Sequence, residues 1–360
     1  MNNAEIVLRR LSSQRLWTPT SDSPEAVVHH FGAMQSQEFG YAKWSIAQRA
    51  VGVDVDRINQ ALASGTILRT HMVRPTWHFV AATDIRWMLT VTGPRVNVLN
   101  SHMYNKVGLD DSVFSRSRKI FTKALMGGKH LTRSELAVVL QKNSIKASGF
   151  HLAYIIMRAE LDGIVCSGPL RGKQQTYALL DERVPSVKTL DREEGLIELT
   201  RRYFTSRGPA TLKDYLVWSS LTAAEGRRGL EAVTPELHHE SIDDRTYWLA
   251  RSSESRKPAV PVIDLVQGYD EYIMSYSESR DLLHLQGSSP PQLRSGSSFL
   301  HVVLLDGRVI GRWRRVLKSD HVVVEVCIDR SLKGSETQAL GPALERYGHY
   351  MGLPVELKAA

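Results

Sequence analysis

The sequence predicts a mainly α fold with β structure: three tandem winged-helix (helix-turn-helix) motifs followed by a C-terminal β-barrel-like domain. Three observations predict it. Helical apolar patterns followed by a pair of β-rich runs recur before residue 252. Helices followed by a hairpin is the order of a winged helix, a variant of the helix-turn-helix. Beyond residue 260 the chain turns β-rich, with a hairpin signal at Asp306-Gly307.

Residues 4–17 form an amphipathic helix that stops before Thr18-Pro19. Ser23-Pro24-Glu25 starts the next, with serine as N-cap and proline at the first helical position. That helix carries Val27, Val28 and Phe31 and is expected to run into Met34. Helices through residues 44–47 and 55–63 follow, the second ending at Ser64-Gly65. Residues 66–71 and 76–80 are β-rich runs around Met72–Pro75 and predict a hairpin.

The order then recurs. Residues 84–89 open a helix and 112–126 form another. Thr132-Arg133-Ser134-Glu135 is a capping box ahead of the apolar run 136–140. Residues 150–161 are a longer apolar helix ending at Asp162-Gly163. Strands at 164–167 and 176–180 then flank a basic turn, Arg171-Gly172-Lys173-Gln174-Gln175. The third copy has helices at 192–205, 212–218 and 222–231, then extended segments over 238–250. It repeats the supersecondary pattern, not the residues.

Residues 252–261 read as a polar, proline-flanked linker. Strands are expected at 260–266, 299–305, 308–314 and 321–328, a mobile Ser/Pro/Gly-rich loop at 287–298, and a closing helix at 335–350. The domains are therefore 1–95 (winged helix 1), 96–186 (winged helix 2), 187–252 (winged helix 3) and 260–360 (β domain with terminal helix).

Composition narrows the function. The chain has 360 residues, 42% hydrophobic and 23% charged, enough apolar content for real cores. Its two cysteines, Cys166 and Cys327, are far apart and suit a reduced compartment. No signal-peptide pattern opens the chain, and no apolar run approaches the ~20 residues needed to span a bilayer. A cytoplasmic protein with no membrane partner is expected. The net charge of +8 points towards a polyanion such as nucleic acid.

Metal chemistry finds no support. There is no Cys-x-x-Cys, no His-Glu-x-x-His and no phosphate loop, and the side chains of His29-His30 and His238-His239 diverge. No metal and no cofactor are expected. The stretch Met34-Gln35-Ser36-Gln37-Glu38-Phe39 is more informative. On a regular helix, residues two apart lie roughly 200° apart, whereas in an extended chain they share a face. Gln35 and Gln37 can act on one substrate only if the helix unwinds at Met34, and Gly40 suits such a break. Each amide donates and accepts, so the pair can orient a water, but it takes up a proton poorly. Such a pair suits a reaction whose leaving group is already good. The bland reading is that glutamines at a helix end cap backbone groups. Glu38 is a candidate general base, or else a solvent-facing group or a partner of Lys43. Arg69, His71, Arg74 and His78 lie on one hairpin, as a solvated wing or as contacts to a DNA backbone. Trp44 and Trp77 read as core.

The chain resembles the AlkZ/YcaQ family of winged-helix DNA glycosylases. The resemblance rests on Ala33 to Glu38, Lys43-Trp44-Ser45 with Arg49, and Arg69-Thr70-His71 with Arg74-Pro75-Thr76-Trp77-His78-Phe79-Val80. It continues through Tyr269-Asp270-Glu271-Tyr272, Tyr276 and Arg280, then Asp306-Gly307-Arg308-Val309, Gly311 and Trp313-Arg314-Arg315. The Gln-x-Gln form is similar to the AlkZ branch, while Ser36 stands where that family often has an aliphatic residue or alanine. The resemblance implies a concave DNA-binding channel and a monofunctional glycosylase that removes N7- or N3-alkylated purines, including bulky adducts and interstrand crosslinks. It makes Gln35 and Gln37 the catalytic pair. Expected DNA-binding residues are Lys43, Arg69, His71, Arg74, Thr76, His78, Arg171, Lys173, Arg312 and Arg314. The partner implied is double-stranded DNA carrying alkylated purines, bound by a nucleoid-associated monomer. The alternatives are a non-catalytic winged-helix DNA-binding protein or regulator, and a bifunctional lyase using Lys43.

Overall fold

The computed structural model describes residues 1–19, 23–184, 190–251, 258–284 and 301–359. The expected linker lies partly outside these residues, and the expected loop at 287–298 lies wholly outside them.

Helix α1 (Asn3–Ser13) is capped by the Asn2 side chain. Helix α2 (Pro24–Phe31) is capped by Ser23 and begins on proline. It ends at Phe31, short of Met34, because Gly32 takes a φ of 71° that helices do not continue through. The freed chain forms strand β1 (Ala33–Gln35), too short for any alternation to reveal it in sequence. The break therefore sits at Gly32, while Gly40 lies inside α3 (Phe39–Ala47). Helix α4 (Val55–Ser64) is capped by Asp54 and stopped by left-handed Gly65. Strands β2 (Ile67–Met72) and β3 (Thr76–Ala81) make the predicted hairpin. Strand β1 adds to its β3 side, giving the order β1-β3-β2.

Helix α5 (Ile85–Lys106) is continuous through Pro94, so the division placed between residues 95 and 96 falls within a helix. Then come α6 (Asp111–Leu125), β4 (Leu131–Thr132), α7 (Arg133–Lys142), α8 (Gly149–Leu161), β5 (Val165–Ser167) and β6 (Thr176–Leu179). Their sheet order is β4-β6-β5, and Thr132 and Glu135 form the predicted capping box. A short α9 (Leu180–Arg183) leads out. Helices α10 (Arg192–Arg207), α11 (Leu212–Ser219) and α12 (Ala223–Val233) precede the hairpin β7 (Leu237–Ile242) and β8 (Arg245–Ala250).

The C-terminal part comprises β9 (Ile263–Val266), α13 (Glu271–Met274), β10 (His301–Leu305), β11 (Arg308–Leu317), β12 (Val322–Ile328), α14 (Gly334–Gln338), α15 (Leu340–Met351) and β13 (Val355–Ala359). The β-barrel-like expectation is corrected here. The sheet is open, ordered β13-β12-β11-β10-β9, with β9 and β13 as its edges. Helices rather than a second sheet face cover its apolar side: Tyr347 and Tyr350 of α15 pack with Trp44, Trp313 and Val324. Strand β13 pairs parallel to β12, a pairing made possible by the α15 crossover and invisible in the strand's own residues.

The cores ignore the sequence divisions. Val27, Trp44 and Phe79 share one with Ile263, Trp313 and Tyr347. Leu68 and Val80 share another with Leu196, Tyr203 and Trp218. Helix α1 packs Ile6, Val7 and Leu11 on Val302, Leu304 and Val309, joining the C-terminal sheet rather than the unit it opens. Among the described residues two clusters, one around Phe121, Leu136 and Ile155 and a small one of Val96, Met157 and Leu161, are drawn wholly from the second unit. Among the described residues no helix is long and apolar enough to cross a membrane.

Candidate active site

Strand β1 puts Gln35 opposite His78 on β3, with Ala33 opposite Val80. The pairing extends one residue further, since the Ser36 N–H donates to the Trp77 carbonyl at 2.7 Å. The chain then bends at Gln37 and Glu38 before α3. Gly32 thus supplies the unwound geometry that the glutamine pair requires. The two side chains nevertheless meet different surroundings. Gln35 is 4% exposed, and its Oε1 accepts from Arg74 Nη2 at 3.3 Å. Gln37 is exposed, and among the described residues its amide has no hydrogen-bond partner.

A buried ion pair holds this break in place. Arg207 Nη2 lies 2.7 Å from Glu271 Oε2, and both side chains are almost wholly buried. Arg207 also donates to the Phe31 carbonyl at 2.9 Å and the Ala33 carbonyl at 2.8 Å, gripping the chain on either side of Gly32. Glu271 Oε1 accepts from the Gln35 N–H at 2.9 Å, while its Oε2 accepts from Trp218 Nε1 at 2.9 Å and Ser275 Oγ at 3.0 Å. Burial alone would raise the Glu271 carboxyl. Arg207 and Arg74, with the Gln35 N–H, outweigh it and hold the pKa at about 2.

The β2–β3 hairpin is a largely buried wall of the site rather than a solvated wing. Arg69, His71 and His78 are all buried. Arg69 donates to the Ser36 carbonyl from Nε at 3.2 Å and Nη2 at 3.0 Å, and its guanidinium lies 4.4 Å over the Trp77 ring. Burial lowers it to about 10, so it stays charged at neutral pH. His71 Nδ1 pairs with Glu160 of α8, and its ring packs 4.4 Å from that of Trp77. His78 Nδ1 lies 2.9 Å from the Thr76 carbonyl. Burial first, then Arg74, lowers His78 to about 3 and keeps it neutral. Arg74 is half-buried, with Nη1 donating to the Met274 carbonyl at 3.2 Å. The Thr76 and Ser36 hydroxyls and His78 Nε2 are buried without a hydrogen-bond partner.

The other wall comes from the C-terminal sheet. Glu38 is partly exposed, and its Oε2 lies 3.4 Å from His301 Nε2. His301 Nδ1 accepts from the Gly268 N–H at 3.1 Å, which leaves Nε2 to carry the proton. The ring rests 3.6 Å from that of Tyr41. Burial raises the Glu38 carboxyl, with Arg315 opposing. Burial, reinforced by Arg315, lowers His301 to about 4. The suggested Glu38–Lys43 pairing is absent: Lys43 Nζ donates to Asn59 Oδ1 at 2.8 Å and lies over the Phe39 ring.

The family model described as "DNA glycosylase AlkZ-like" matches residues 28–350 of this chain. The chain belongs to the AlkZ-like DNA glycosylase family. It is 23% identical over 333 residues to the interstrand DNA cross-link repair glycosylase of Streptomyces sahachiroi, covering 87% of each. It is also similar in fold to the solved Streptomyces sahachiroi DNA glycosylase AlkZ, with a TM-score of 0.81 at 20% identity over 99% of this chain and 100% of that one. As an AlkZ-like glycosylase, the protein is a hydrolase of N-glycosyl bonds whose substrate is DNA.

The remaining expected DNA contacts of this AlkZ-like protein scatter. Arg171 and Lys173 are exposed at the β5–β6 tip, where Arg171 donates to Glu135 at 2.7 Å and to the His130 carbonyl at 2.6 Å. Arg312 and Arg314 lie on the face of β11 opposite Trp313, and Arg314 pairs with Glu325. Trp313 is the residue that faces Tyr41, so these two arginines point away from the motif side. Arg207, Glu271 and His301 were missed as site residues. The family resemblance included Glu271 only as a matching position, and a lone histidine in an apolar strand gives no signal.

Proposed function

We propose that this protein is a monofunctional glycosylase that hydrolyses the N-glycosidic bond of N7- or N3-alkylated purines in double-stranded DNA. Alkylation makes the purine cationic, so the base leaves readily. What remains is to steady an oxocarbenium-like sugar and hold a water against its C1′ carbon. Gln37 offers an open amide for that water. Gln35, clamped by Arg74 and Glu271, sets the position of the strand and presents a second amide from the buried side. The observation that carries the reading is the unwound, ion-pair-clamped segment from Gly32 to Glu38, in a chain of this family.

The Streptomyces sahachiroi relative is named for interstrand cross-link repair, and we extend that substrate class to this chain. Three helix-plus-hairpin units at the observed positions suit a tandem winged-helix grip on duplex DNA, by a monomer with its basic tip at Lys173. A site reached through the exposed Gln37 fits a base still tethered to the other strand better than a deep flipping pocket would.

Release of modified base from duplex DNA carrying N7-methylguanine tests the reading, with DNA binding measured alongside. Wild type is expected to release base. Gln37→Ala and Gln35→Ala should lose release by at least about a hundredfold with binding kept. Binding without release, from this DNA or from a bulkier N7 adduct, would sink the proposal. A lyase reading has one supporting observation, the lowering of the Lys43 amine by burial. Borohydride trapping of a covalent DNA adduct decides it, and no trapping removes it.

A further inference from the structure

A pair of amides leaves one step of the hydrolysis without an agent. As the water oxygen bonds to C1′, the C1′–N bond pair departs with the alkylated purine, which leaves as a neutral base. The water must then lose a proton, and glutamine amides accept protons poorly. Glu38 follows Gln37 directly in the bend and is the partly exposed carboxylate there.

Glu38 is not loose. His301 approaches it from β10 on a ring whose position is over-determined. The Gly268 N–H donates to Nδ1 at 3.1 Å. The Tyr41 ring packs against it, tilted, at 3.6 Å, and the Trp313 ring lies 5.7 Å away. The histidine is buried, and its Nε2 lies 3.4 Å from Glu38 Oε2. That separation is somewhat longer than a formed hydrogen bond, as hydrogen bonds in substrate-free sites often are.

We propose that His301 is a positioning residue whose Nε2–H holds the Glu38 carboxylate beside Gln37, where it accepts the proton released by the attacking water. The inference rests on the glycosylase reading above. The proton moves from the water oxygen to a Glu38 oxygen and returns to solvent after the product leaves, so charge and atoms balance with no further reactant. Among the described residues, the titratable and charged groups facing Glu38 are His301 from β10, Arg315 from β11 and Tyr41 from the helix α3 that follows it. Of these, His301 is held neutral by its burial and so acts as a donor rather than as a charge.

The test is single-turnover base release against pH, with DNA binding measured in parallel, for wild type, Glu38→Gln, His301→Asn and His301→Gln. Asparagine keeps an acceptor for the Gly268 N–H and removes the Nε2 donor. Glutamine restores a donor near the Nε2 position. Expected are a rate loss of about a hundredfold in Glu38→Gln and about tenfold in His301→Asn, with DNA affinity unchanged in both. The acid limb of the wild-type rate should move to higher pH in His301→Asn, because the carboxylate has lost a stabilising donor, and His301→Gln should regain part of the rate. A rate loss without a moved limb, or no rescue by glutamine, makes His301 packing only and overturns the proposal. So does a wild-type profile with no acid limb that Glu38→Gln abolishes, a comparison that leaves His301 untouched. If wild type releases no base at all, the glycosylase reading itself fails, which is a separate result.

Discussion

Two basic-tipped hairpins, β2–β3 and β5–β6, look alike in sequence and have opposite fates. In the first, Arg69, His71 and His78 face inward, bonded to Ser36, Glu160 and Thr76. In the second, Arg171 and Lys173 stand exposed at the tip. The cause is what each hairpin is packed against. Strand β1 closes one edge of the first, and α5 and α8 press on β2, whereas the tip of the second projects beyond its own core. Basic residues on a hairpin thus say nothing about phosphate contact until their neighbours are known. A guanidinium can serve as a carbonyl clamp as readily as a DNA contact.

Breaking the buried side should have the largest effect. Glu271→Ala leaves Arg207 and Arg74 without their counter-charge and frees the Gln35 N–H. A loss of about 3–5 kcal/mol is expected in urea unfolding, together with loss of base release. A change below about 1 kcal/mol would show that the clamp is not what holds β1.

Acid should sharpen the same contrast. His78 has a folded pKa of about 3 against 6.5 when unperturbed, and Glu271 one of about 2 against 4.5. Both are depressed in the folded state, so the unfolded chain binds protons first. Stability is full above pH 6.5 and falls from there towards pH 3 on account of His78, with Glu271 adding its loss between 4.5 and about 2. His30 and His301, lowered to about 3 and about 4, act in the same direction. Thermal melts from pH 7 to 4 should show this slope, and His78→Gln should flatten its upper part. A flat wild-type profile would contradict the buried neutral imidazoles.

The smallest effects separate the two hairpins directly. Arg69→Ala removes a charged donor from the buried Ser36 carbonyl and should cost about 1.5–3 kcal/mol without changing the salt dependence of DNA binding. Lys173→Ala should leave stability within about 0.5 kcal/mol and reduce the salt slope by about 0.9 if it meets one phosphate. Reversal of the two outcomes would restore the first hairpin as the DNA-gripping wing.

Much of the fold was legible in the residues. The N-caps at Ser23 and Thr132, the stop at Gly65 and the turn at Asp306-Gly307 all act within a few residues, and all are where the pattern places them. The unwinding of the chain at the two glutamines was also legible. The residue that unwinds it was misjudged, because a positive φ at Gly32 depends on Arg207 capturing the carbonyls on either side.

The sequence by itself determined the local periodicities, the caps and the family, since each of these is written in neighbouring residues or in an ordered set of motifs. Only the tertiary structure decided which amide is open, which arginines are inside and which histidine meets Glu38. Those properties belong to contacts between residues far apart in the chain, Gln35 with Glu271 and Glu38 with His301. Burial and charge pairing are properties of the packed surroundings, and no stretch of sequence carries its surroundings with it.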